Sequence, residues 1–66
     1  MSKIRNAPYI TTQGTTVHYT VGAVLIDFDE DEPKWIPKSC LEDWPDKGEF
    51  GEVIILESLA IEKGII

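Results

Sequence analysis

The sequence predicts a mainly β domain: a small antiparallel sheet of four or five strands that curls on itself, with one short helix at the C-terminal end. Three observations carry that expectation. Residues 9–21 are rich in Thr, Val and Tyr, residue types that suit a pleated surface. Acid-, Pro- and Gly-rich breakers, "DEDEP" and "PDKGEFG", divide the chain into runs with short connections. The segment "EVIILE", Glu52 to Glu57, is an apolar run bounded by acids, the form of a buried strand. With 66 residues and neither an internal repeat nor a low-complexity linker, residues 1–66 read as a single domain. Folding at this size removes only about 60% of the unfolded chain's surface from water, so every large apolar side chain counts.

"PYITTQGTTVHYTVG" opens the sheet with two β-rich runs, Tyr9 to Thr12 and Thr15 to Val21, about a turn at Gln13 and Gly14. In the second run Val17, Tyr19 and Val21 share the face assigned to the interior, and Thr16, His18 and Thr20 share the other. Gly22 marks a bulge or sharp bend. "AVLIDF" then continues the strand, with Val24, Ile26 and Phe28 on one face. Four consecutive acids and Pro33 make the hairpin connection, and "KWIP" returns beside the strand, which brings Trp35 near Phe28.

Ser39 and Glu42 have the spacing of a capping box, which predicts one helical turn from Cys40 to Asp43, stopped by Pro45. The turn-rich "PDKGEFG" leads into the strand at Glu52 to Glu57. "SLAIEKGII" predicts a short helix with Ser58 as N-cap and Gly64 as left-handed C-cap, packing Leu59 and Ile61 on the sheet while Ile65 and Ile66 fold back. The result is a curled sheet or small barrel of the SH3-like or oligonucleotide-barrel (OB-like) type.

Charge narrows the function. The net charge is -6; residues 1–26 carry Lys3 and Arg5 and no acid, whereas residues 27–66 hold all twelve acids against four lysines. Such a field repels phosphate, so direct nucleic-acid binding is disfavoured. A lone Cys40 and a single His18 do not supply the usual four-ligand zinc site. Asp27, Asp29 and Asp31 match the first, third and fifth positions of a calcium loop, but Glu32 stands where a Gly is needed and Lys38 where a bidentate Glu is needed. No metal and no cofactor are expected. The longest apolar run, "VGAVLI", is far too short to span a bilayer and no signal-like segment is visible, so a reducing cytoplasm and no membrane are expected.

Chemistry is equally sparse. A Cys40–His18 dyad would lack an orienting partner and an oxyanion loop, and carboxylates clustered in turns stay ionised, with no proton to donate. "GEFG", Gly48 to Gly51, has the spacing of an RNA-clamping loop but carries an acid and lacks flanking helices, so it reads as a turn. The chain is expected not to be an enzyme.

The informative segment is Ile26 to Trp44, which gathers seven carboxylates and both tryptophans. It predicts a protein-binding surface made of the hairpin acids Asp27, Asp29, Glu30, Asp31 and Glu32, with Leu41 and Trp44 as apolar anchors. One alternative is a nucleic-acid mimic that inhibits a host defence or DNA-handling protein, since alternate Asp residues in an extended strand would lie about 6.8 Å apart, close to the spacing of phosphates. Another is a single-stranded nucleic-acid-binding barrel that uses exposed aromatics. An uncovered edge strand would also allow a homodimer.

"WIPKS", Trp35 to Ser39, followed by "EKGII", Glu62 to Ile66, resembles a pattern in short uncharacterised proteins of bacteriophages and prophages. The resemblance covers roughly the second half of the chain. It implies a small β domain of phage origin, acting in the cytoplasm of a bacterial host, with no established catalytic residues.

Overall fold

The Thr-rich N-terminal stretch forms one long strand, β1, Tyr9–Tyr19. In the computed structural model, which describes residues 8–29 and 32–66, it is followed by β2 Ala23–Asp27, β3 Lys34–Pro37, β4 Leu41–Asp43, β5 Phe50–Leu56 and helix α1 Glu57–Glu62. The strands make one antiparallel sheet in the order β3-β2-β1-β5-β4. This is the expected class, a curled mainly β sheet with a short C-terminal helix, and the sheet is open rather than closed.

Connectivity forces the curl. The outermost strands β3 and β4 are joined only by a 3-10 turn at Lys38–Cys40. In a flat sheet they would lie four strand spacings apart, roughly 19 Å, whereas three 3-10 residues advance about 6 Å. The two edges must therefore bend toward each other. Their concave side holds the core: Val24 and Ile26 of β2, Ile36 of β3, Leu41 of β4, Val53 and Ile55 of β5, and Ala60 of α1. Each fully buried aliphatic side chain of this kind contributes about 1.5–3 kcal/mol.

Several expectations are corrected. Gln13 and Gly14 make no turn; Gly14 lies inside β1, opposite Gly51. A Cβ there would stand 2.8 Å from Ile26 Cγ2 and 3.0 Å from the Asp27 carbonyl oxygen. The glycine is a close-approach residue that lets the end of β2 cross β1. The bulge falls at Val17, where the register with β2 slips between Thr16 and His18, and not at Gly22. Gly22 sits in a tight hairpin closed by Thr20 N–H to Ala23 O at 2.8 Å, so β2 returns antiparallel to β1 instead of continuing it.

The bulge also breaks the expected alternation: Thr16, ahead of it, pairs with buried Ile26, and Tyr19, beyond it, with buried Val24, so the two share a face. Thr16 is buried, whereas Val17, Tyr19 and Val21 are exposed, Val21 almost completely. Burying Thr16 is compensated locally. Its hydroxyl donates to Pro45 O at 2.7 Å, its N–H to Glu49 O at 3.2 Å, and its carbonyl accepts from Gly48 N–H at 2.7 Å. These bonds strap the 45–49 loop onto β1.

β3 pairs with β2 as expected, but Trp35 stands opposite Leu25 and its ring meets His18, not Phe28, with centroids 6.4 Å apart. The predicted helical turn at Cys40 to Asp43 is replaced by the Lys38–Cys40 3-10 turn, without a side-chain cap, and by β4. Leu41 is pulled into the core, which favours a strand over a helical turn there.

Helix α1 begins two residues early, with Leu56 in the N-cap position and no side-chain cap, so Ser58 lies inside it. Its end matches the expectation. Gly64 has φ 76°, its N–H reaches Ile61 O at 3.1 Å, and Ile65 N–H reaches Ala60 O at 2.8 Å, the paired bonds of a Schellman cap. Leu59, Ala60 and Ile65 pack on the sheet, while Ile61 and Ile66 stay exposed.

Candidate functional site

The sequence-predicted residues that the structure describes lie in different surroundings. Asp27 ends β2, and its Oδ1 accepts the Asp29 N–H at 2.8 Å. Asp29 adopts φ 67°, in the left-handed region that Asp tolerates better than most residues. The chain thus turns at once, and Asp27 and Asp29 are not alternate residues of an extended strand. Glu32 is exposed beyond the turn, and Glu30 and Asp31 lie outside the described residues.

Of the two expected apolar anchors, Leu41 is corrected. Leu41 is 7% exposed and belongs to the core, so it presents nothing to a partner. Trp44 is half-buried against the same core. Lys38 Nζ stands 5.8 Å from its ring centroid and 5.4 Å from that of Tyr19, a cation–π clamp that ties the 3-10 turn to β1 and to the following loop. The exposed aromatics are instead Tyr19, Trp35 and Phe50, the last 65% exposed.

What the fold does bring together is a cavity of about 490 Å³ at the base of the acidic hairpin. Thr11, Thr12 and Gln13 of β1 form its floor, Phe28 and Asp29 one wall, and Phe50 and Glu52 of β5 the other. The register explains the assembly. Gln13 faces Glu52 and Thr15 faces both Phe50 and Asp27, which places β5 and the end of β2 on either side of β1. Of the predicted residues that the structure describes, only Asp29 lines this cavity. Gln13, Phe28, Phe50 and Glu52 were missed because a pairing some 40 residues apart in sequence leaves no local signal.

The floor consists of three consecutive residues. A cavity over a sheet face would be lined by alternate residues, so this one lies against a strand edge. The pairing agrees: β2 leaves β1 at Thr15, and Ile10 to Gln13 pair with β5 on one side and with no described strand on the other. Alternate residues of that stretch direct their N–H and C=O groups toward the cavity.

Electrostatically the cavity is anionic, with Asp29 and Glu52 on its walls and no Lys, Arg or His among its described lining residues. Two phenyl rings flank the carboxylates. The combination suits a cation with an apolar stem, because a ring face and a carboxylate both attract an ammonium or guanidinium group.

The other reactive groups stay apart. The described neighbours of the His18 ring are Tyr19 and Trp35, while Cys40 packs against the core. Among the described residues no group of three or more His, Cys, Asp and Glu is placed to hold a metal ion, and no helix is long and apolar enough to cross a membrane. Compared with protein-family models, curated proteins and solved structures, the chain shows no match.

Proposed function

We propose that this protein is a non-catalytic accessory domain that binds a basic segment of another protein, with the acidic hairpin attracting the partner and the cavity beside it receiving Lys or Arg side chains. One observation carries the reading: the cavity joins two carboxylates and two phenyl rings with no cation among its described lining residues. The excess of acid over base beyond residue 26 supports it, since a field of one sign speeds encounter with a partner of the other. The resemblance of "WIPKS" and "EKGII" to phage proteins fits an accessory role in a bacterial host.

Nucleic-acid mimicry has less support, because its premise was an extended row of aspartates and the chain turns at Asp29. Isothermal titration with a short peptide of alternating Arg and Thr tests the proposal. Saturable binding is expected, weakened several-fold between low and physiological salt and about tenfold by the double variant Asp29→Asn, Glu52→Gln, two exposed charges worth up to about 1 kcal/mol each. Equal binding by the double variant would reject the cavity as the receptor.

A further inference from the structure

We infer that the partner segment binds as an added β-strand along the free edge of β1, hydrogen-bonded to Ile10 through Gln13, so that its alternate cationic side chains enter the cavity between Phe28 and Phe50. This rests on the reading of the cavity as a cation receptor and specifies the shape of what it receives: an extended basic peptide rather than a basic helix.

Among the described residues the edge is a vacancy in the ladder. β1 is paired with β5 from Tyr9 to Thr15 and with β2 only from Thr15 to Tyr19. Backbone groups on an unpaired edge are a template for another chain, and proteins commonly close such edges with a bulge, a charge or a covering segment. Here the bulge lies at Val17, beyond the open stretch, and Ile10 to Gln13 contribute no charged side chain. Gly14 marks where the opening ends, since Phe28 and the Asp27 carbonyl close over it.

Charge complementarity selects the occupant. On the outer face Gln13 and Glu52 sit side by side in register, and a strand added next to β1 would extend that row. A residue there would lie roughly 10 Å from the Glu52 backbone, two strand spacings, a distance that Lys or Arg and Glu side chains span together over the short Gln13. Asp29 and Phe28 meet the added strand from its other side. Main-chain bonds would supply affinity and the alternate cations specificity, as in other strand-addition complexes. A helix has no free backbone groups to offer this edge.

Three peptides of identical sequence, alternating Arg and Thr, separate the binding mode from the charge reading. One has an ordinary backbone and the other two carry N-methyl groups on alternate residues in the two possible registers, so that one loses the amide donors that would face β1, the other loses only donors that would face solvent, and both keep every charge. The ordinary peptide should bind, slow hydrogen exchange at the β1 amides not used by the β5 ladder, and bind at least tenfold tighter than the weaker of the two N-methylated registers, while the other register binds nearly as well. If both N-methylated registers bind as tightly as the ordinary peptide, strand addition is overturned while the cavity remains a cation receptor. If no peptide binds, both readings are overturned. Concentration-dependent protection of the same amides without any peptide would show that a second copy of the chain fills the edge, and would overturn the basic peptide as occupant.

Discussion

Gly14 shows how one residue sets the geometry of the site. Its missing side chain lets Ile26 and the Asp27 carbonyl approach β1, which places Asp27, Phe28 and Asp29 beside the cavity floor. A Gly14→Ala protein should be less stable by about 1–3 kcal/mol in urea denaturation, the range for forcing a methyl group into packed surroundings. Gly22→Ala is the control. A Cβ at Gly22 has nothing within 4 Å, and its effect should stay within about 0.5 kcal/mol. At this scale the sequence misled in a specific way: glycine between two Thr pairs resembles a turn, and only the approach of a strand distant in sequence explains it. Thr16 is similar, because a buried threonine becomes legible only once Pro45 is known to accept its proton.

Among the elements, those defined by local chemistry were the legible ones. The hairpin between β2 and β3 follows from a run of acids that cannot be buried, and β5 from its apolar run. The helix end follows from Gly64, whose φ of 76° an L-residue adopts only at a cost. Gly64→Ala should destabilise the protein by about 1–2 kcal/mol, with faster hydrogen exchange concentrated in Lys63, Gly64 and Ile65. Uniformly faster exchange across β1 and β5 would mean that the cap does not act locally. The 3-10 turn and β4 were not legible. "SCLEDW" carries a genuine capping-box spacing, but burial of Leu41 and pairing of β4 with β5 outweigh a single helical turn. The phase of β1 was lost for a related reason: a one-residue bulge at Val17 breaks the alternation, and the sequence pattern alone does not reveal bulges.

For the molecule as a whole, the sign of the charge and the class of fold are legible in the sequence, while the shape of the site depends on topology. Joining the two edge strands through three residues curls the sheet, and the long β1 then exchanges one neighbour for another at Thr15. That exchange leaves an edge beside the acidic turn that no described strand pairs. Of the surface expected from Ile26 to Trp44, Asp29 remains at the cavity, Trp44 serves the cation–π clamp and Leu41 the core. The central claim is that the cavity beside β1 receives a cationic chain, and backbone amide shift mapping during titration with the Arg and Thr peptide tests it most directly. The account predicts saturable shifts centred on Thr11, Thr12, Gln13, Phe50 and Glu52; shifts centred on Val17, His18 and Trp35, or none, would contradict it.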